Sequence, residues 1–286
     1  MSMYTIVSET ELREPVMVCA LSGWVDAASA ATDAAAHLAG ESPVVAYFDP
    51  DELFDYRSSR PVLDIVEGIT QKVAWPEVTI RGARAGDRDA LVMTGTEPDL
   101  RWRAFASDIV EISHRLGVSL HITLGAVPAA VPHTLPCPVM TTASSSEHLD
   151  ENARVPPALR VPSAAVSIVD QALHRSGIPT VGYFAQIPHY VTGPYYDGVI
   201  TLLGRVKARL GVELPLGDLR EQSGLQRKQL DEVVAGRPDA KEYVERLEGL
   251  AAQENLPSGD ELAAEIERYF RGQDPGGPGP FTEGPT

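Results

Sequence analysis

Cysteine, lysine and long apolar runs are the scarce features of this chain. Only two cysteines occur in 286 residues, Cys19 inside an apolar run and Cys137 between two prolines. Two cysteines build neither a disulfide framework nor a zinc site, and they fit a reduced, cytoplasmic setting. No window approaches about 18 consecutive apolar residues, so no membrane span is expected. The opening MSMYTIVSETELREPVMV lacks the basic start and apolar core of a secretory signal, and none is expected. Positive charge is short as well. Lys and Arg number 24 against 40 Asp and Glu, and lysine occurs only at Lys72, Lys207, Lys228 and Lys241. A net charge of −16 repels nucleic acid and anionic membrane surfaces, which excludes both as partners.

What the chain does have is an ordinary globular composition, 43% hydrophobic and 22% charged, enough to bury a large core without staples. Its length suits one large domain or a domain with an appendage. Nearly continuous apolar runs at 15–22, 43–48, 89–94, 118–124 and 179–184 read as strands covered on both faces. Residues 77–81 alternate and read as a more exposed strand. Helical segments lie between them at 26–39, 99–116, 163–176 and 194–210, with Asp99 placed as an N-cap and Gly117 as a stop. This alternation predicts an α/β fold, a mostly parallel sheet flanked by helices. From about residue 212 the strands stop. Amphipathic stretches broken at Gly236-Arg237-Pro238, then a capping box at Ser258 and Glu261, predict a helical appendage. The division expected is 1–211 for the sheet domain, 212–272 for the appendage and 273–286 for a disordered tail rich in glycine and proline.

Four stretches carry residues that could do chemistry. In VCALSGWVDAASAATDAAAHLAG, an apolar run stops at Ser22-Gly23-Trp24 and Asp26 opens a run of small residues. Neither G-x-x-x-x-G-K-[ST] nor G-x-G-x-x-G is present, so Asp26 reads first as a cap on a helix packed close to the sheet through its alanines. Trp24, bulky in a tight turn, must be pocketed or presented to a partner. Asp49, Asp51, Glu52 and Asp55 follow an apparent strand, but without the glycine and final glutamate of a calcium loop, and Arg57 and Arg60 follow to pair with them. In MTGTEPDLRWRAF, Glu97, Arg101 and Trp102 surround a helix start, where a carboxylate beside an arginine could do acid–base work or simply form an ion pair. His133 and His189, the latter followed by Tyr190, each succeed a proline in a loop. They could serve as general bases, yet no G-x-S-x-G elbow or H-E-x-x-H helix accompanies them, and a loop anchor is the plainer reading. No catalytic residue, metal or cofactor is assigned.

Taken in order, LSGWVDAASAATDAAAHL, YFDPDELFDYRSSRP, TGTEPDLRWRAF, VPHTLPCPV and IPHYVTGPYYDGVITLLGRV resemble the proteasome assembly chaperone family of the second-subunit type, in its actinobacterial branch. The resemblance spans roughly residues 15 to 210. It implies a fold similar to nucleoside phosphorylases and related hydrolases, a homo-oligomer with a trimer the natural guess, and proteasome subunits as partners. Leu135 stands where the family pattern would place an arginine after His-Thr, so no anion-binding role is carried to that loop. The resemblance favours a non-catalytic, chaperone-like interaction protein. The competing reading is an enzyme or small-molecule binder using a sheet-edge pocket. That reading needs Gly23, Trp24, Asp26, Asp49, Glu97, Arg101, Trp102, His133, His189 and Tyr190 to converge.

Overall fold

The strands follow the apolar runs of the sequence and lengthen wherever a neighbour supplies hydrogen bonds. The computed structural model describes residues 2–8, 12–150 and 158–252. In chain order the strands are β1 (Tyr4–Ile6), β2 (Val16–Ser22), β3 (Val44–Phe48), β4 (Val62–Val66), β5 (Ile69–Ala74), β6 (Val78–Ala85), β7 (Arg88–Thr96), β8 (Leu120–Ala129), β9 (Val139–Ala143) and β10 (Thr180–Pro188). The helices are α1 (Ala30–Ala39), α2 (Pro50–Leu53), α3 (Trp102–Arg115), α4 (Ala165–Arg175), α5 (Tyr196–Leu210), α6 (Leu219–Ala235) and α7 (Pro238–Ala252).

Eight strands form one sheet in the order β1-β3-β6-β7-β2-β8-β10-β9. Its middle is parallel, β7 with β2, β2 with β8 and β8 with β10. Antiparallel pairs extend it on both sides, β6, β3 and β1 on one and β9 on the other. The expected α/β sheet flanked by helices is present, parallel in its middle. β6 differs from expectation: Val78, Ile80, Ala83 and Ala85 are buried, because both faces of the sheet are covered there.

β2 shows why the sequence folds this way. Val16, Val18 and Ala20 face one core with α1 and α5, while Met17, Cys19 and Leu21 face another with α3 and α4. A strand buried on both sides needs no polar alternation. On the first face Ala30, Ala31, Ala34 and Ala35 are fully buried, so α1 lies close to the sheet. Close approach also explains Gly198 of α5. A Cβ there would come within 2.8 Å of Ile187 Cδ1 and 3.1 Å of Ala30 Cβ. α7 joins the same core through Val244 and Leu247, with Leu230 and Val234 of α6 packed against it. The break between these helices falls at Gly236 and Arg237. The capping box at Ser258 and the terminal tail lie outside the described residues.

Two helix starts differ from the sequence expectation. The segment from Asp26 makes a 3₁₀ turn over Ala27–Ser29 before α1, with Ala28 and Ser29 both left-handed at φ 54°. Asp99 does not cap α3. Arg101 holds the N-cap position at φ 55°, and Asp99 instead accepts the Asp55 N–H at 3.0 Å. The Leu100 N–H bond to Leu53 carbonyl, also 3.0 Å, pins the loop against α2 and draws Asp99 away from the helix.

The hairpin β4–β5 has no counterpart among the expected strands. Val66 pairs with Ile69 across Glu67-Gly68, both at positive φ (51° and 80°), as a two-residue hairpin turn of matching twist requires. Every residue of both strands is exposed.

Candidate functional site

β3, β7, β2, β8 and β10 all run in one direction, so their carboxyl ends share one edge of the sheet. The residues singled out from the sequence lie along that edge. From β3 to β10 there are five inter-strand steps, about 24 Å at roughly 4.8 Å each. No single pocket spans that distance, and the structure divides the ten candidates accordingly.

Adjacent strands β2 and β7 do bring Gly23, Trp24 and Glu97 together. Glu97 donates its N–H to the Ser22 carbonyl at 2.8 Å. Its carboxylate accepts the Trp24 N–H at 3.2 Å and the Ala165 N–H, the first of α4, at 2.6 Å. Glu97 therefore caps α4 from another element, where the helix dipole favours a negative charge. Gly23 is required beside it. A Cβ there would lie 2.9 Å from both Cβ and Oε2 of Glu97, and its φ is +148°. Asp26 turns towards α1 and accepts the Ala31 N–H at 2.9 Å, the Thr32 N–H at 3.1 Å and the Thr32 hydroxyl. Burial pushes its carboxyl up, and the Thr32 and Ala31 hydrogen bonds oppose that.

Asp49, Arg101 and Trp102 form a second group around α2. Asp49 caps α2 through the Asp51 N–H at 3.0 Å. Arg101 pairs with Glu52, and Trp102 donates its indole N–H to the Pro98 carbonyl. Asp51 accepts the Tyr56 hydroxyl and Asp55 pairs with Arg57. Each acid of this loop thus has a local partner, and no group of three or more His, Cys, Asp and Glu among the described residues is arranged to hold a metal ion.

His133, His189 and Tyr190 form the third group, on the α1–α5 face. Tyr190 hydroxyl accepts the His133 N–H at 2.8 Å and lies 2.7 Å from its Nδ1. Nε2 of His133 reaches Asp231 of α6 at 3.2 Å. Every group has a role if the tyrosine donates to Nδ1 and Nε2–H donates to the carboxylate. Burial lowers the His133 pKa, and Asp231 partly restores it. His189 lies 3.2 Å from the Ala129 carbonyl through Nδ1 and 3.3 Å from Tyr243 hydroxyl of α7 through Nε2. With T-shaped ring contacts among His133, Tyr190, His189 and Tyr243, these residues join α6 and α7 to the sheet. Cys137, close by, has its thiol pushed up to about 12 by burial and is no thiolate nucleophile at neutral pH.

A cavity of about 370 Å³ lies on the opposite face, between α4 and the β8-β10-β9 end of the sheet. Of the ten candidates only Trp24 lines it. Space for it comes from Gly125 and Gly182, over which the Phe184 ring lies. A Cβ on either glycine would overlap that ring, at 2.3 Å and 2.8 Å. Behind its wall runs a polar chain. Thr123 donates to Asp170 Oδ1 at 2.7 Å, and His121 Nε2 lies 3.2 Å from the Thr123 hydroxyl and 3.4 Å from the same carboxylate oxygen. Burial holds His121 neutral, its pKa lowered to about 3, and raises Asp170 to about 7 against the Thr123 hydrogen bond. Nδ1 of His121 has no partner among the described residues, which places the proton on Nε2, since a bare lone pair costs less to bury than an unmet N–H. Thr123 is fully buried, so its hydroxyl meets no substrate. Sequence reasoning missed Asp170 because α4 reads as an ordinary amphipathic helix.

The sheet order and the three separate groups define an α/β scaffold in which the candidates from the sequence do not share one pocket. The PAC2 family model matches residues 20–234, and the chain belongs to that family. It is similar to the Mycobacterium tuberculosis unknown function protein Rv2714, at 30% identity over 94% of this chain and 96% of that one, TM-score 0.86. It is also similar to the Mycobacterium tuberculosis proteasome-assembly chaperone homologue Rv2125, at 35% identity over 80% of this chain and 99% of that one, TM-score 0.74. Pyrococcus furiosus PbaB, an archaeal proteasome activator, shares the fold at 15% identity over 80% of this chain and 97% of that one, TM-score 0.63. No curated protein matches the sequence.

Proposed function

We infer that this chain is a non-catalytic, chaperone-like interaction protein of the cytoplasm that works as a homo-oligomer, with a trimer the expected state and proteasome subunits its partners. Residues 1–211 form its scaffold and the helices from 212 onward its appendage. The similarity to a proteasome-assembly chaperone homologue supports the partner. No described helix is long and apolar enough to cross a membrane.

The observation that carries the reading is the β4–β5 hairpin. Val62, Leu63, Ile65, Val66, Ile69 and Val73 are 41–63% exposed along it. An isolated two-stranded ribbon is at best marginally stable in water, and contiguous exposed apolar surface marks an interaction site. The occupant is a second copy of the chain. Between Val62 and Ala74 the charges are Asp64, Glu67 and Lys72 alone, so this stretch of a chain of charge −16 suffers little repulsion from its own kind.

Light scattering on the full chain tests the assembly, with Ile65→Lys as the variant. An oligomer that falls to monomers in the variant supports the reading, and a monomeric parent protein rejects it. Pull-down of the tagged chain from its own lysate tests the partner. Proteasome α subunits are expected, and their absence at stoichiometric recovery removes the chaperone role.

A further inference from the structure

The cavity under α4 holds a polar cluster with an end left open, at Asp170. Its body is apolar, with Trp24, Met140, Leu159 and Phe184 in the wall. Thr142, Ser144 and Thr180 add hydroxyls from the sheet side, and α4 contributes Ser167, Asp170, Gln171 and His174 at the i, i+3, i+4, i+7 spacing of a single stripe. Among the described residues, neither lysine nor arginine lines it. Among the described residues a phosphate or carboxylate would find no guanidinium or ammonium and would face Asp170 instead. Phosphorylase-like handling of an anion is therefore a poor fit to this cavity.

Asp170 supplies the discriminating contact. Oδ1 is engaged by Thr123 at 2.7 Å and His121 at 3.4 Å. Oδ2 makes no hydrogen bond among the described residues, and the side chain keeps 18% of its surface. Half-protonated near pH 7, this carboxyl gains most from a ligand that holds it ionised. The aromatic walls Trp24 and Phe184 suit the same ligand, since an aromatic face attracts a cation and packs on a flat apolar ring. At about 370 Å³ the cavity is in the range that takes a molecule of this size.

We propose that this cavity is a binding site for a small organic amine with a ring-sized apolar body, its ammonium on Asp170 Oδ2 and its ring against Trp24 and Phe184.

Isothermal titration of the full chain at physiological salt with tryptamine, indole and indole-3-acetate tests it. Tryptamine should bind with a submillimolar Kd, indole about tenfold more weakly and indole-3-acetate at least about a hundredfold more weakly. Asp170→Asn should bring tryptamine down to the indole level. Ser167→Trp, at an exposed position of the lining, should abolish all three. Glu213→Gln, a remote acid 86% exposed, should change nothing and controls for general attraction of a cation to an acidic protein. Absence of tryptamine binding, equal binding of indole-3-acetate, or binding that survives both cavity variants overturns the proposal.

Discussion

The two faces of the sheet carry polar assemblies made of the same parts, a buried histidine, a hydroxyl and an aspartate. On the α1–α5 face, His133 joins Tyr190 to Asp231, and every donor finds a protein acceptor. On the α4 face, His121 and Thr123 lead to Asp170, whose second oxygen opens on a cavity. The first assembly ties two C-terminal helices to the sheet. The second has hydrogen-bonding capacity left over. Residue type does not separate structure from site here; completeness of pairing does.

Four variants break or sharpen this contrast. His133→Ala should cost most, about 3 kcal/mol, because it removes a buried ring and strips Tyr190 and Asp231 of their partner. Urea unfolding measures it, and a loss below about 0.5 kcal/mol would mean that this seam does not hold α6. Tyr190→Phe keeps the ring packing but leaves the His133 N–H and Nδ1 unmet, for an expected loss of about 2 kcal/mol.

Asp170→Asn should instead change how stability depends on pH. In the parent protein Asp170 titrates near 7 folded and 3.8 unfolded, while His121 titrates near 3 folded and 6.5 unfolded. The raised Asp170 alone contributes stability below 3.8 that is lost as pH rises through 7. The lowered His121 alone contributes stability above 6.5 that is lost as pH falls towards 3. Between about pH 4.5 and 6 each state of the pair holds one proton, on Asp170 when folded and on His121 when unfolded, so the two slopes cancel. With asparagine the His121 term stands alone, and stability should rise by up to about 1.4 kcal/mol per pH unit over that window relative to the parent. Parallel unfolding curves for the two proteins would contradict the coupling. Glu97→Gln, the smallest effect, retains one acceptor for two N–H groups and should cost about 1 kcal/mol, read as a shift in the thermal midpoint.

The candidate residues were legible as strand-end residues, and less so as a site. Gly23 and Glu97 met because β2 and β7 are neighbours, though Ser22 and Glu97 lie far apart in sequence. Asp49 and His189 stayed apart because β6 is inserted on one side and β8 on the other. Asp99 was misread since an aspartate before a helix and an aspartate holding a neighbouring loop look alike in sequence. β9 escaped notice because its five residues sit among prolines and a Thr-Ser run, and it exists by pairing with β10. The β4–β5 hairpin was overlooked because Glu67-Gly68 is not one of the strong Asn-Gly or Asp-Gly turn signals and its strands lack a polar face that alternates with an apolar one.

By itself the sequence determined the parts that depend on local physics. The doubly buried run of β2, the alanine face of α1, the helix stop at Gly117 and the break before Pro238 follow from periodicity, side-chain volume and backbone freedom within a few residues. Tertiary structure decided the rest. Strand order, and with it the spacing along the carboxyl edge, arises from hydrogen bonds between segments distant in sequence. The same pairing brought Gly125 and Gly182 under the Phe184 ring and left Asp170 lining a cavity, where a local pattern showed only one polar position on a helix.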